Sequence, residues 1–161
     1  MKKSELDTPC LVLDLDILEE NLDKMQAGAN AAGKNLRPHA KTHKCSTLAK
    51  MQLAKGAVGV SVAKVSEAEG LVNAGVHGIL ITGALAVERK VARLVALVRK
   101  SPTLMTVVDD PGNIRLLERY LKREGLRMDV LVDIDVGSER TGVPPGRASE
   151  LAELVLASDH L

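Results

Sequence analysis

The sequence predicts an α/β fold: part of a β/α (TIM-like) barrel, about five βα units in one domain. Short runs of branched aliphatic residues alternate with longer stretches of helical periodicity, and such alternation means a parallel sheet with helices outside. The 161 residues include no Trp, no Phe and a single Tyr, so the core must be built from Val, Leu, Ile, Ala and Met. That choice suits parallel strands covered by helices. An open doubly wound sheet competes with the barrel, but no glycine-rich turn follows an early strand, as a dinucleotide-binding sheet normally shows. The residues able to do chemistry fall instead at the C-terminal ends of strands, where a barrel keeps its site.

The elements follow in order. Leu11 to Asp16 reads as a leading strand. A helix runs from about Ile17 to Ala32, with Leu18, Leu22 and Met25 on one stripe and Gly33 ending it. Leu36 to His43 is a strand of basic character. Ser46 to Lys55 is a helix that stops at Gly56, and Val58 to Ala63 a strand. Ser66-Glu67-Ala68-Glu69 has the form of a capping box opening the next helix, which Gly75 closes. Gly78 to Thr82 is a short apolar strand. Val91, Leu94, Val95 and Val98 mark a helix face at i, i+3, i+4, i+7. Leu104 to Asp109 is a strand, and Pro111 stands where an N1 proline opens a helix that runs to Gly125. Val130 to Val136 is a strand. A loop from Gly137 to Gly146 precedes a last helix with Leu151, Leu154 and Val155 on one face.

Bulk properties exclude several classes. The length is that of one domain, large enough for a real core. A formal net charge of +1 gives no reason to expect nucleic acid or an anionic membrane as partner. No apolar run reaches transmembrane length, and Met1 to Asp7 leads into Thr8-Pro9 without the apolar region of a secretory leader. Cys10 and Cys45 make neither a disulfide framework nor a metal-spaced pair, so the expected setting is cytoplasmic with free thiols. No set of His, Cys, Asp and Glu has metal-site spacing.

The run Leu36-Arg37-Pro38-His39-Ala40-Lys41-Thr42-His43-Lys44 carries the chemistry. Read as a strand, it puts Arg37, His39, Lys41 and His43 on one face, since side chains alternate with period two. Charge on a buried face is costly unless paired or used. A lysine in that row suits imine chemistry, because neighbouring positive charge and burial lower its pKa and expose the nucleophilic amine. The competing reading is an edge strand with a solvated basic face. The flanking apolar alternation favours a buried sheet.

The last strand offers the complement. Leu131, Asp133 and Asp135 share one face, and Val130, Val132, Ile134 and Val136 the other. If the apolar face meets the outer helices, the acidic face looks inward, toward Arg37, His39 and Lys41, and each charge offsets the other's desolvation. The alternative is a pair of rim carboxylates in water. Arg140 lies just past this strand, in a polar turn bracketed by Gly137 and Gly142, where backbone can approach a ligand closely. His77, before a strand, is expected to be structural; His160 is assigned nothing.

These motifs together resemble one family. Thr8-Pro9-Cys10-Leu11-Val12-Leu13-Asp14-Leu15-Asp16, then Arg37 to Cys45, Lys64 to Glu69, and Asp129 to Gly137 with Arg140 and Gly142-Val143 resemble D-threonine aldolases, and also the related D-serine dehydratases. Both are alanine-racemase-like, fold-type III pyridoxal-phosphate enzymes. The resemblance spans nearly the whole chain. It implies that Lys41 is the lysine that forms a Schiff base with pyridoxal 5'-phosphate and that Arg140 faces the pyridine nitrogen. It also implies that His39 and His43 orient that lysine or the substrate; Arg37, Asp133 and Asp135, from the facing strand rows, are expected beside the cofactor. The implied reaction removes a proton from the β-hydroxyl of a D-3-hydroxy amino acid, breaks Cα–Cβ, and releases glycine and an aldehyde.

The resemblance also implies what lies elsewhere. Family members run to well over twice this length. Their later barrel strands carry the phosphate-binding loops, and a β-rich C-terminal domain supplies the ligands of a divalent metal such as manganese. On that comparison the chain is expected to be a truncated N-terminal portion, inactive alone, with residues 1–16 lacking their partner in the C-terminal domain. Self-association through open sheet edges is expected. The alternatives are a D-serine dehydratase and, in another class, a non-catalytic cofactor-binding or assembly protein.

Overall fold

The computed structural model describes residues 2–161, which form two compact units divided between residues 35 and 36. In the first unit, α1 spans Leu15–Ala31. Asp14 caps it, its carboxylate accepting from Ile17 N at 3.3 Å. The expected strand at Leu11 to Asp16 is not formed: residues 10–14 have no regular structure, and Leu11, Val12 and Leu13 are exposed. A strand exists by pairing, and among the described residues nothing pairs with this run, so the cap at Asp14 starts the helix early. Met25, expected on the apolar stripe, is exposed, and Gln26 is buried instead.

The second unit is a parallel α/β arrangement, an open portion of a β/α barrel. Strands β1 (Val60–Val62), β2 (Ile79–Ile81), β3 (Met105–Val108) and β4 (Val130–Val132) lie in the order β1-β2-β3-β4, all parallel. Helices α2 (Ser46–Ala54), α3 (Val65–Asn73), α4 (Glu88–Val98), α5 (Pro111–Glu124) and α6 (Ala148–Leu156) alternate with them.

Register fixes the two faces. Val60 pairs with Ile79, Val62 with Ile81, Ile81 with Thr106 and Thr106 with Val130, so these side chains share the helix-covered face. Val60, Val62, Ile79, Ile81 and Val108 are fully buried there. Leu71, Leu94, Val95, Ile114, Leu117, Leu121 and Leu151 join them from the helices to form one aliphatic core. The opposite face carries Ser61, Leu80, Met105, Val107 and Leu131, and Leu131 is 43% exposed.

Helix ends are set locally. Asp110 caps α5 through Gly112 N at 2.6 Å, Pro111 opens it, and Gly125 closes it at φ +62°. The capping box expected at Ser66 to Glu69 does not form. Helix α3 begins one residue earlier, at Val65, with Lys64 at the cap position. Glu67 reaches back to Ala63 N at 2.9 Å, while Glu69 pairs with Arg93 Nε of α4 at 2.7 Å.

The basic segment pairs with β1 only in part. Val58 N donates to Leu36 O at 2.9 Å, Ser61 N to Pro38 O at 2.7 Å, and Ala40 N to Ser61 O at 2.7 Å. These make a single parallel bridge, His39 to Ser61. Pro38 has no N–H to add a rung. After His39 the chain turns: Lys44 N bonds Ala40 O at 2.7 Å, and Lys44 takes φ +48°. The expected strand to His43 therefore ends at His39, and period-two alternation does not extend to Lys41 and His43.

Leu117, fully buried on α5, tests this core. Leu117→Ala is expected to cost about 2–5 kcal/mol, the transfer loss plus an unfilled cavity. Urea unfolding followed by circular dichroism measures it; a change below about 1 kcal/mol would mean that α5 is not part of the core.

Candidate functional site

The chemistry-bearing residues lie past the C-terminal ends of the strands, the basic group beside β1 and the acidic group after β4, except Arg37. Its guanidinium donates to Gly78 O, just before β2, at the N-terminal edge. A Cβ on Gly59 would collide with both groups, so glycine there leaves room for the contact. Burial pulls the Arg37 pKa below its ordinary value. The placement of Arg37 in one row with Lys41 is thus corrected: it ties strand starts together.

His39 lies on the open face, beside Ser61. Its Nδ1 accepts Lys41 N–H at 3.2 Å, and its Nε2 stands 3.4 Å from Thr82 Oγ1. The Thr82 hydroxyl donates to Val62 O at 3.1 Å, and the His39 carbonyl accepts from Thr42 Oγ1 at 3.3 Å. Burial, then the Lys41 charge, push the His39 pKa below the ordinary imidazole value, against a smaller pull upward from Glu67 and the Ser61 backbone. Lys41 itself is exposed, in the turn over residues 40–43.

The neighbouring lysine is differently placed. Lys44 Nζ lies 3.8 Å from Glu67 Oε1, whereas among the described residues Lys41 makes no ion pair. His43 Nδ1 accepts Cys45 N–H at 3.1 Å, which fixes the entry to α2. Cys45 is the residue before that helix, and the backbone N–H groups of Leu48 and Thr47 hold its thiol below the ordinary range. A cavity of about 300 Å³ lies between the starts of α2 and α3, lined by Ala40, Lys44, Ser46, Ser66 and Glu67 among others, and Lys41 does not line it.

The acidic strand needs correction too. Val130 and Val132 pack toward the helices as expected, but Ile134 and Val136 are exposed. Regular pairing ends at Val132; Ile134 then bridges Val143, through Asp135 N to Val143 O at 2.9 Å and Val143 N to Asp133 O at 3.0 Å. The Asp135 carboxylate serves its own loop: Oδ1 accepts from Gly137 N at 3.0 Å, Ser138 N at 2.8 Å and Glu139 N at 3.1 Å. These bonds hold its pKa below 3.8. Asp133 is half-buried at the strand end. No ion pair joins Arg37 or Lys41 to Asp133 or Asp135 among the described residues. The basic segment borders β1 and the acidic one continues β4, so they occupy opposite edges of the sheet.

Arg140 is exposed on the loop that Asp135 organises. Gly142 closes that loop at φ +95°, and a Cβ there would stand 2.6 Å from Asp135 N. Gly142 N also reaches Asp109 Oδ2 at 3.4 Å, while Asp109 Oδ1 accepts from Asn113 Nδ2 at 2.7 Å. Asp109, Glu67 and Thr82 are site residues that periodicity passed over. For Asp109 and Thr82 the available signal was a polar residue just following an apolar strand; Glu67, in the first turn of α3, carried no such signal. His77 is exposed, before β2, and His160 Nδ1 is 2.9 Å from Leu126 O. Among the described residues no three His, Cys, Asp or Glu are grouped to hold a metal ion, and no helix is long and apolar enough to cross a membrane.

Comparison with known proteins adds a family. A family model described as "Alanine racemase, N-terminal domain" matches residues 13–161. The 3-hydroxy-D-aspartate aldolase of Paracoccus denitrificans is 39% identical over 163 residues, which cover 100% of this chain and 42% of that protein. The D-threo-3-hydroxyaspartate dehydratase of a Delftia species is 35% identical over 138 residues, 86% of this chain and 36% of the relative. The crystal structure of D-threonine aldolase from Filomicrobium marinum superposes with a TM-score of 0.95 at 41% identity, over 99% of this chain and 43% of that one. The chain spans less than half the length of these relatives.

The Asp135 loop gives a testable consequence. Asp135→Ala is expected to loosen residues 137–142 and speed tryptic cleavage after Arg140, while Asp135→Asn, which keeps one acceptor, has the smaller effect. The native carboxyl is ionised below its unfolded value of 3.8, so its hold is complete above that pH and is lost as pH falls through the lower native pKa. Equal cleavage rates in all three proteins would refute the role.

Proposed function

The chain belongs to the family of the alanine racemase N-terminal domain, and on that premise we propose that it binds pyridoxal 5'-phosphate. We propose further that it serves a lyase of the D-threonine aldolase type, converting a D-3-hydroxy amino acid to glycine and an aldehyde. The observation that carries this is the contrast between its two neighbouring lysines. Both are exposed, but Lys44 Nζ lies 3.8 Å from Glu67 Oε1, whereas Lys41 has no ion-pair partner among the described residues and its backbone N–H donates to His39. An amine that must attack a carbonyl needs to be reachable and free of a carboxylate partner.

The donor set suits that cofactor. When bound, pyridoxal phosphate supplies a conjugated ring that takes up the electron pair left at Cα when a substrate bond breaks. Lys41 contributes the primary amine. His39 and His43 each use Nδ1 for a backbone N–H, which supports a holding role for both. Arg140, on a loop held by Asp135 and Asp109, contributes a cation for the ring nitrogen, and Asp133 is the remaining carboxylate at that edge. Asp135 and Arg37 act by fixing backbone. A divalent metal, expected for this class, finds no grouped ligands among the described residues, and no step is assigned to one.

A second reading, a dehydratase on the same scaffold, is favoured by the Delftia relative. Products separate the two: acetaldehyde and glycine from D-threonine mark the aldolase, pyruvate and ammonia from D-serine the dehydratase.

Incubation with pyridoxal phosphate, borohydride reduction and peptide mapping should place the adduct on Lys41. Lys41→Ala is expected to lower labelling at least tenfold, about 1.4 kcal/mol or more in effective affinity, and Lys44→Ala to leave it nearly unchanged. An adduct on Lys44 alone would sink the assignment. We also propose that the chain self-associates through its open face and edges, supported by exposed Leu131, Ile134 and Val136. Light scattering on a sizing column at about 20–50 μM should give a mass above that of one chain, a concentration suited to weak association; a sharp monomer would contradict it.

A further inference from the structure

We propose that Thr82 is a positioning residue for Lys41, acting through the His39 imidazole. The importance given to Lys41 rests on the function proposed above; the linkage stands on hydrogen-bond geometry alone. Ser61 pairs with both His39 and Leu80, so His39 and Leu80 share the open face, and Thr82, two residues past Leu80, continues on that face. Strand β1 lies between His39 and Thr82 and presents there only the small side chains of Ser61 and, just past its end, Ala63. That leaves room for the imidazole to lie across β1 and reach Thr82 Oγ1, 3.4 Å from Nε2.

The direction of each bond follows from what each group can do. Val62 O only accepts, and it takes both Thr82 N–H at 2.9 Å and the Thr82 hydroxyl at 3.1 Å. The hydroxyl hydrogen is therefore committed, and the Thr82 oxygen faces His39 as an acceptor. At the other side of the ring Lys41 N–H, a donor only, points at Nδ1 from 3.2 Å. Both ends demand the same species: a neutral imidazole with its proton on Nε2. The line runs from Lys41 N–H to His39 Nδ1, from His39 Nε2–H to Thr82 Oγ1, and from the Thr82 hydroxyl to the carbonyl of Val62, a fully buried sheet residue. The other tautomer would set N–H against N–H at Lys41 and leave the Thr82 oxygen without a donor. Burial and the Lys41 charge, against the opposing pull of Glu67 and of the Ser61 backbone, lower the His39 pKa and so favour the neutral ring. Thr82 thus selects the tautomer, and the tautomer holds the backbone that presents Lys41.

Long-range proton–nitrogen NMR of the histidine rings tests this directly. The wild-type chain should show His39 with the proton on Nε2; a proton on Nδ1 overturns the proposal without any variant. Thr82→Val keeps the shape and removes the hydroxyl, so the two tautomers should mix and the Lys41 amide should exchange about five- to tenfold faster, the loss of one modest hydrogen bond. Thr82→Ser should keep both readouts within about twofold of wild type, since the hydroxyl remains. A valine variant with unchanged tautomer and unchanged Lys41 exchange overturns the linkage. Borohydride trapping at Lys41 should slow in the valine variant and recover in the serine variant. NMR changes as expected in a chain that never labels at Lys41 would uphold the linkage and overturn the cofactor reading.

Discussion

The site depends on where one strand pairing stops. Residues 36–40 run along β1 through a single bridge, His39 to Ser61, and then leave it. Had the pairing continued to His43, Lys41 would have stayed within the ladder, its backbone consumed by β1 and its side chain fixed perpendicular to the sheet. Pro38 already costs the segment one rung, and the bond from Lys44 N to Ala40 O draws the chain into a turn instead. Lys41 therefore stands past the sheet edge on a short closed turn. Nothing in the ladder fixes such a turn, so its geometry is set by the side chains that brace it. His39 and Thr42 brace it from within, one through its ring and the other through its hydroxyl.

Much of the helix-covered half of the fold was legible in the sequence, because it rests on periodicity alone. Val91, Leu94, Val95 and Val98 are all buried at the spacing that marks a helix face. Pro111 and Gly125 open and close α5 where their backbone preferences require. An aliphatic core without Phe or Trp was set by composition. The failures share a cause. The run at Leu11 to Asp16 has strand composition, but composition does not supply a pairing partner, and the Asp14 cap decided the local structure. At Ser66 to Glu69 the box pattern was present, yet Glu67 and Glu69 found partners at Ala63 N and Arg93 that no local pattern contains.

The site was legible in its residue types and less so in their arrangement. A row of basic side chains on one strand face was a deduction from period two, and period two holds only while the backbone stays extended. Arg37, early in the segment, braces the N-terminal ends of the strands through Gly78, while the turn after His39 takes Lys41 off the strand at the other end. The acidic strand shows the same limit. Asp135 was expected to face the basic row across an interior, but its oxygens are taken up by the N–H groups of residues 137–139. A carboxylate three bonds deep in its own loop has little left to offer an ion partner on the far side of the sheet. Its contribution to the site is indirect: it shapes the loop that carries Arg140.

The same argument separates the two lysines and shows why sequence spacing alone does not. Lys41 and Lys44 differ by one turn of chain and have identical chemistry. The helix that begins at Val65 puts Glu67 beside Lys44, and Glu67 is kept in place because its other oxygen accepts from Ala63 N. One carboxylate thereby ties down the chain entering α3 and pairs with the second lysine, which leaves the first without a carboxylate partner among the described residues. The choice between them is made by a residue from the next βα unit. A βα architecture brings successive strand ends to one edge, and there each unit settles the role of a residue in its neighbour: Glu67 for Lys44, Thr82 for His39, and Asp109 for the Arg140 loop.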